Sequence, residues 1–259
     1  MRLRPVASFL PCFGAAALLS LALGAGSTPA FAQVTSAFDL SRSTSAQADA
    51  VQRNAAVAGF GNWTSSLQVA SLPEPAHADG AASQSSGLYD DYASAAGEAH
   101  AKASGGGHGA YGESNYEVHF LVRARSGYTL TGHVEVSTLA VGAPPLDAPS
   151  IEEIVNEGQA TGSIAFSGPG GEVGSLRLDC RTNPEQPDAC TQADDLLASG
   201  VLEPGVYVLQ ARAYARGQGS GAEPVGGVGL ARYSFEIRFD GPIVNTEAVT
   251  WGGLKSLYR

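Results

Sequence analysis

Four residues able to do chemistry fall close together on two neighbouring segments of this chain. Glu117 and His119 lie in YEVHFLVRA, and His133 and Glu135 lie in YTLTGHVEVS. If the two segments form a hairpin that pairs Val122 with Leu130 and Val118 with Val134, His119 faces His133 and Glu117 faces Glu135. Directly opposed like charges destabilise a sheet. A divalent ion such as zinc would relieve the repulsion, with two imidazoles and two carboxylates as ligands. The competing reading, which needs no cofactor, splays all four side chains into water, and the expectation for cofactors is none.

Cys180 and Cys190, in CRTNPEQPDAC, are the second chemical pair. A metal or redox pair would call for closer spacing or further ligands nearby, so they read as a disulfide. No G-x-S-x-G, H-E-x-x-H or phosphate-cradling loop occurs, and no catalytic residue is assigned. GGGHGAYG has a loop composition, and Asp90-Asp91 and Asp194-Asp195 read as solvated loop charges. Tyr214, flanked by Arg212 and Arg216 on the solvent side of VYVLQARAYAR, is a candidate sugar contact, with Trp63 and Tyr111 as further aromatic candidates.

Strands must hold these groups. In YEVHFLVRA, Tyr116, Val118, Phe120 and Val122 alternate with polar neighbours, and Tyr128, Leu130, Val134 and Val136 do so in the next segment. A period of two marks a half-buried strand, and Arg125-Ser126-Gly127 reads as a three-residue hairpin loop with Gly127 left-handed. VYVLQARAYAR and ARYSFEIRF repeat the alternation, and GQGSGAEPVGGVG between them reads as a flexible connector. ASAAGEAHAKAS has helix propensity, but Ala99, Ala101 and Ala103 alternate with polar residues, which favours a strand. Ser150 and Glu153 resemble a capping box, placing a short helix over 151–157. The expected fold is all-β: an antiparallel two-sheet sandwich, jelly-roll-like, with at most one or two short helices after the signal peptide.

The N-terminus sets the compartment. Arg2 and Arg4, the apolar stretch FGAAALLSLAL and Ala30-Phe31-Ala32 read as a secretory signal peptide over 1–32, too short in its apolar part for a membrane span. Cys12 falls within it. Residues 33–241 then form a single sandwich domain and 242–259 a C-terminal tail. Loss of Arg2 and Arg4 makes the net charge of −10 still more negative, which disfavours nucleic acid and anionic lipid as partners. Export, to the periplasm or the medium, and no membrane span in the mature chain are expected. In the tail, Trp251, Leu254, Lys255, Tyr258 and Arg259 are candidates for recognition by export or assembly machinery, the alternative being a tail packed on its own domain.

The order AASQSSGLY, ASAAGEAHAKAS, YEVHFLV, YTLTGHVEV, SGVLEPGVYVLQARAYA and ARYSFEIRF resembles the exported bacterial β-sandwich proteins that often carry a PEP-CTERM sorting tail. The sorting tail itself is absent, and NTEAVTWGGLKSLYR stands in its place. The resemblance implies location more than activity. The leading expectation is a secreted or surface-associated, non-enzymatic sandwich with a binding or extracellular structural role, extracellular polysaccharide or cell-surface components being the candidate partners. A carbohydrate-binding module is the alternative, and a sandwich-fold hydrolase or lyase the second alternative.

Overall fold

The computed structural model describes residues 35–71, 77–105, 107–141, 157–183, 188–219, 226–241 and 243–245. The expected signal peptide, residues 151–156 of the expected helix, and Trp251, Leu254, Lys255, Tyr258 and Arg259 lie outside the described residues. In chain order the strands are β1 (Thr35–Ala48), β2 (Val51–Ala58), β3 (Trp63–Ser71), β4 (His77–Leu88), β5 (Tyr92–Ser104), β6 (Gly109–Val122) and β7 (Ser126–Val141). There follow β8 (Glu157–Gly168), β9 (Gly171–Thr182), β10 (Cys190–Leu202), β11 (Gly205–Gln218), β12 (Gly226–Phe239) and β13 (Ile243–Asn245).

Two sheets face each other. Sheet A has seven strands in the order β13-β1-β6-β11-β8-β9, with β2 also on β1, and sheet B has six in the order β10-β7-β12-β5-β4-β3. Pairing is antiparallel except for the short parallel contact of β13 with β1. The pairs β7·β10, β6·β11 and β5·β12 are nested one inside the next and alternate between the sheets. That is a long hairpin rolled on itself, the jelly-roll arrangement. Ile243 is buried beside Thr35, so the domain runs past 241 and the first residues assigned to the tail belong to sheet A.

The alternation works as expected on β6, β7, β11 and β12: Tyr116, Val118, Phe120, Leu130, Val134, Leu209, Phe235 and Ile237 all point into the core. The core is wedge-shaped. Phe120, Phe166, Tyr207, Phe239 and Tyr128 fill one end with tilted ring pairs. At the other end Ala99, Ala101, Ala103, Ala213 and Ala215 face one another. There the sheets approach so closely that a Cβ on Gly112 would strike the carbonyl oxygen of Ala81, and one on Gly217 would meet that of Gly227. The alanine segment is therefore a strand, β5, because small side chains let two backbones come together.

The expected hairpin does not form. β6 pairs with β1 and β11 in sheet A, and β7 pairs with β10 and β12 in sheet B. Residues 123–125 carry the chain from sheet A to sheet B, beside the return crossing from Leu202 to Gly205, and Arg125 and Glu203 tie the two crossings at 2.9 Å. Alternation identifies a strand's faces and is silent about its neighbour, and these two consecutive strands belong to opposite sheets. Gly127 lies inside β7, not in a left-handed turn; a side chain there would strike the Asp240 carboxylate. Asp194 and Asp195 lie in β10, and the expected connector contributes Gly217 and Gln218 to β11 and Gly226–Gly229 to β12. Glu157 opens β8.

Candidate functional site

The crossover scatters the expected metal cluster. Glu117 and His119 stand on the outer face of sheet A, and His133 and Glu135 on the outer face of sheet B. Each has a local partner. His119 Nε2 lies 2.8 Å from Glu117 Oε1, and Gln210 donates to the other Glu117 oxygen at 2.6 Å. The His119 contact, then that of Gln210, hold the Glu117 carboxyl below its usual range against the opposing effect of burial. His133 Nδ1 is 2.7 Å from Asp195, while Glu135 shares Arg232 with Glu98. Among the described residues no three His, Cys, Asp or Glu side chains come close enough to hold a metal. The disulfide is present, joining Cys180 on β9 to Cys190 on β10 with Cα atoms 5.7 Å apart.

The sugar-contact candidates divide. Arg212, Tyr214 and Arg216 share the outer face of β11, as alternation requires. Arg212 sits 5.3 Å over the Tyr214 ring and pairs with Glu113 at 2.7 Å. Trp63 is elsewhere, on the edge strand β3 beneath the buried guanidinium of Arg42, 5.7 Å from its ring centre. It is half-buried on the inner side of β3 and does not join the tyrosine.

What joins Tyr214 is Tyr111. Strand register places Tyr111 between Gln47 on β1 and Arg216 on β11, and Tyr214 opposite Glu113 two positions along. The two tyrosines, with Gln47, Asp49, His108 and Arg216, border a cavity of about 420 Å³ at the thin end of the wedge. Two loops shape it. Asp49, in the turn between β1 and β2, has a left-handed backbone (φ 50°), which aspartate tolerates better than most residues. Gly105 and Gly107 supply positive φ in the loop before β6 and deliver His108.

The loops are locked together. His108 Nδ1 lies 2.7 Å from Asp49 Oδ2, and the Gly109 N–H donates to Oδ1 at 3.0 Å. The Asp49 N–H donates back to the Gly109 carbonyl, and Gln47 holds the Asp49 carbonyl at 2.6 Å. The Tyr111 hydroxyl is 3.0 Å from Ser45 Oγ and accepts from Gln52 at 2.6 Å. Burial raises the Asp49 carboxyl, but the nearby Ser71 hydroxyl, the Gly109 N–H and His108 outweigh it and hold it below the ordinary aspartate value. Burial raises the Tyr214 hydroxyl, so the ring stays neutral at physiological pH.

A group whose folded pKa is depressed contributes stability above its unfolded pKa and loses it as pH falls through the folded one. The Asp49 contribution is therefore expected to be intact at neutral pH, to decline as pH falls below about 4, and to be gone once pH is below the depressed folded value. Asp49→Asn should remove that part of the acid dependence and lower stability at pH 7 by about 1 kcal/mol. Urea midpoints measured from pH 3 to 7 check this, and parallel curves for the two proteins would refute it.

Tyr111 is among the aromatic candidates of the sequence, although its segment GGGHGAYG reads as a loop and its second half, from Gly109, opens β6. Asp49 and His108 are not, because the only signals are a two-residue turn and a glycine run, and neither says which other loop it will meet. A second cavity, about 430 Å³, crosses the outer face of sheet B over Ser83, Ser85, Ala96 and Ser234, bounded by the Glu98–Arg232–Glu135 ion pairs. No protein-family model matches the chain, and a search of curated proteins finds no significant match. No helix among the described residues is long and apolar enough to cross a membrane.

Proposed function

We propose that the protein is an exported, non-enzymatic β-sandwich that works by binding, with carbohydrate as its ligand and the Tyr111–Tyr214 notch as its site. The resemblance to exported bacterial sandwich proteins and the N-terminal signal pattern support the location. The disulfide suits an oxidising compartment. The observation that carries the binding reading is the notch itself: two tyrosines, amides and one guanidinium around a single cavity on a rigid sheet. Apolar ring faces surrounded by a few fixed polar groups are what a sugar needs, since its own surface alternates C–H faces with hydroxyls.

Retention on insoluble and gel-embedded polysaccharides tests this. Tyr214→Ala is expected to weaken retention about tenfold, equivalent to ~1.4 kcal/mol, with the melting temperature unchanged. No retention on any polymer, or a silent Tyr214→Ala, would remove the notch reading. Turnover of the retained polymer, seen as new reducing ends or an unsaturated product, would instead make the protein a hydrolase or lyase.

A further inference from the structure

We infer that the notch takes an acidic sugar unit, a uronate, whose carboxylate sits on Arg216. This rests on the notch being the binding site. The protein is strongly acidic, with a net charge of −10, so an anionic ligand needs a local cation to overcome the general repulsion. Most of the outward arginines are already committed: Arg125, Arg177, Arg181, Arg212, Arg232 and Arg238 each pair with a carboxylate.

Arg216 is different. Its Nη2 donates to the neutral amide oxygen of Gln218 at 2.9 Å, and among the described residues it forms no ion pair. The carboxylates around it are engaged by others: Glu113 by Arg212, Glu157 by Arg181, and Asp49 by His108 and the Gly109 N–H. Arg53 and Arg123 also lack a carboxylate partner among the described residues, but both are exposed and line neither of the cavities described above. The notch thus has an uncommitted guanidinium and no uncommitted carboxylate. A guanidinium is a planar fork that matches a carboxylate with two parallel hydrogen bonds. The carboxylate of a uronate lies at the ring's edge, so a ring stacked on Tyr214 would bring it toward the neighbouring Arg216, with Gln47 and Gln218 left for hydroxyls.

The test compares polygalacturonate with the same polymer after methyl esterification, using the full-length exported protein. Wild type should bind the acid form about tenfold tighter than the ester. Arg216→Gln should lower acid-form affinity to the ester level with an unchanged melting temperature, and Arg53→Gln should have no effect. Equal affinity for the two polymers with a silent Arg216→Gln overturns the carboxylate assignment, while a persisting Tyr214 dependence leaves the notch standing. A silent Tyr214→Ala, or no binding to either polymer, overturns the notch reading and this inference with it.

Discussion

Arg42→Ala is expected to destabilise the protein by about 3–5 kcal/mol. Arg42 is 2% exposed and lies on the inner face of β1. Its Nη1 donates to the Gly61 carbonyl at 2.6 Å and its Nη2 to the Gly59 carbonyl at 2.5 Å. These two carbonyls belong to the turn that carries the chain from β2 in sheet A to β3 in sheet B, so one guanidinium fastens that edge of the sandwich. Each bond to a charged donor contributes roughly 1.5–3 kcal/mol, and truncation also leaves a void beside Trp63. Arg42→Met fills much of the volume without the donors and should recover less than half of the loss. Arg42→Lys, with a single ammonium for two carbonyls, should fall between the two. Urea unfolding followed by circular dichroism measures all three. If Met restores stability to within about 1 kcal/mol of wild type, the side chain acts by filling space and the clamp is refuted.

Removing the disulfide should cost about 3 kcal/mol. Cys180 and Cys190 are ten positions apart, and closing a ring of that size restricts the unfolded chain by about that amount in the chain-entropy description. The bond joins β9 to β10, the edge strands of the two sheets on the side opposite the Arg42 clamp. The Cys180→Ser/Cys190→Ser double variant and the reduced wild type should show the same shift in urea midpoint. A reduced protein as stable as the oxidised one would refute the effect. Across a sheet of six strands spaced about 4.8 Å apart, clamp and disulfide are far enough separated for their effects to add. Their joint loss would approach the whole stability of an ordinary domain.

The faces of the strands were legible in the sequence, and their partners were not. Tyr116, Val118, Phe120, Leu209, Phe235 and Ile237 reached the core as the alternation required, because side-chain period is a property of the strand by itself. Pairing depends on which strand lies alongside, and neither β6 nor β7 carries a residue that distinguishes a hairpin from a crossing between sheets. Every error at the metal cluster followed from that one step. Arg42 was missed for a related reason. In TSAFDLSRSTSAQA the inward positions Leu40, Arg42, Thr44, Ala46 and Ala48 mix a charge and a hydroxyl with apolar residues, and a bulge between Ala37 and Asp39 shifts the pairing register. Arg212, Tyr214 and Arg216 share one face because they alternate along one strand. Trp63 joins them as a candidate on residue type alone, with an ordinary packing role as the equal alternative, and it packs against Arg42 on the inner side of β3.

The nesting of β7·β10, β6·β11 and β5·β12 bears on when the chain can fold during its synthesis. The ribosome delivers the strands in order, yet β5 waits for β12, and sheet B stays split into β10–β7 and β5–β4–β3 until β12 arrives between them. Neither half can bury its inner face by itself. The innermost pair has the shortest loop to close and the outermost the longest, so assembly proceeds from the middle of the sequence outward and at the slow pace of long-range strand pairing. A chain that cannot close sheet B before β12 emerges stays unfolded through the synthesis of everything that precedes it. Such a delay is compatible with the export proposed above, because a general secretory channel takes chains that are still unfolded.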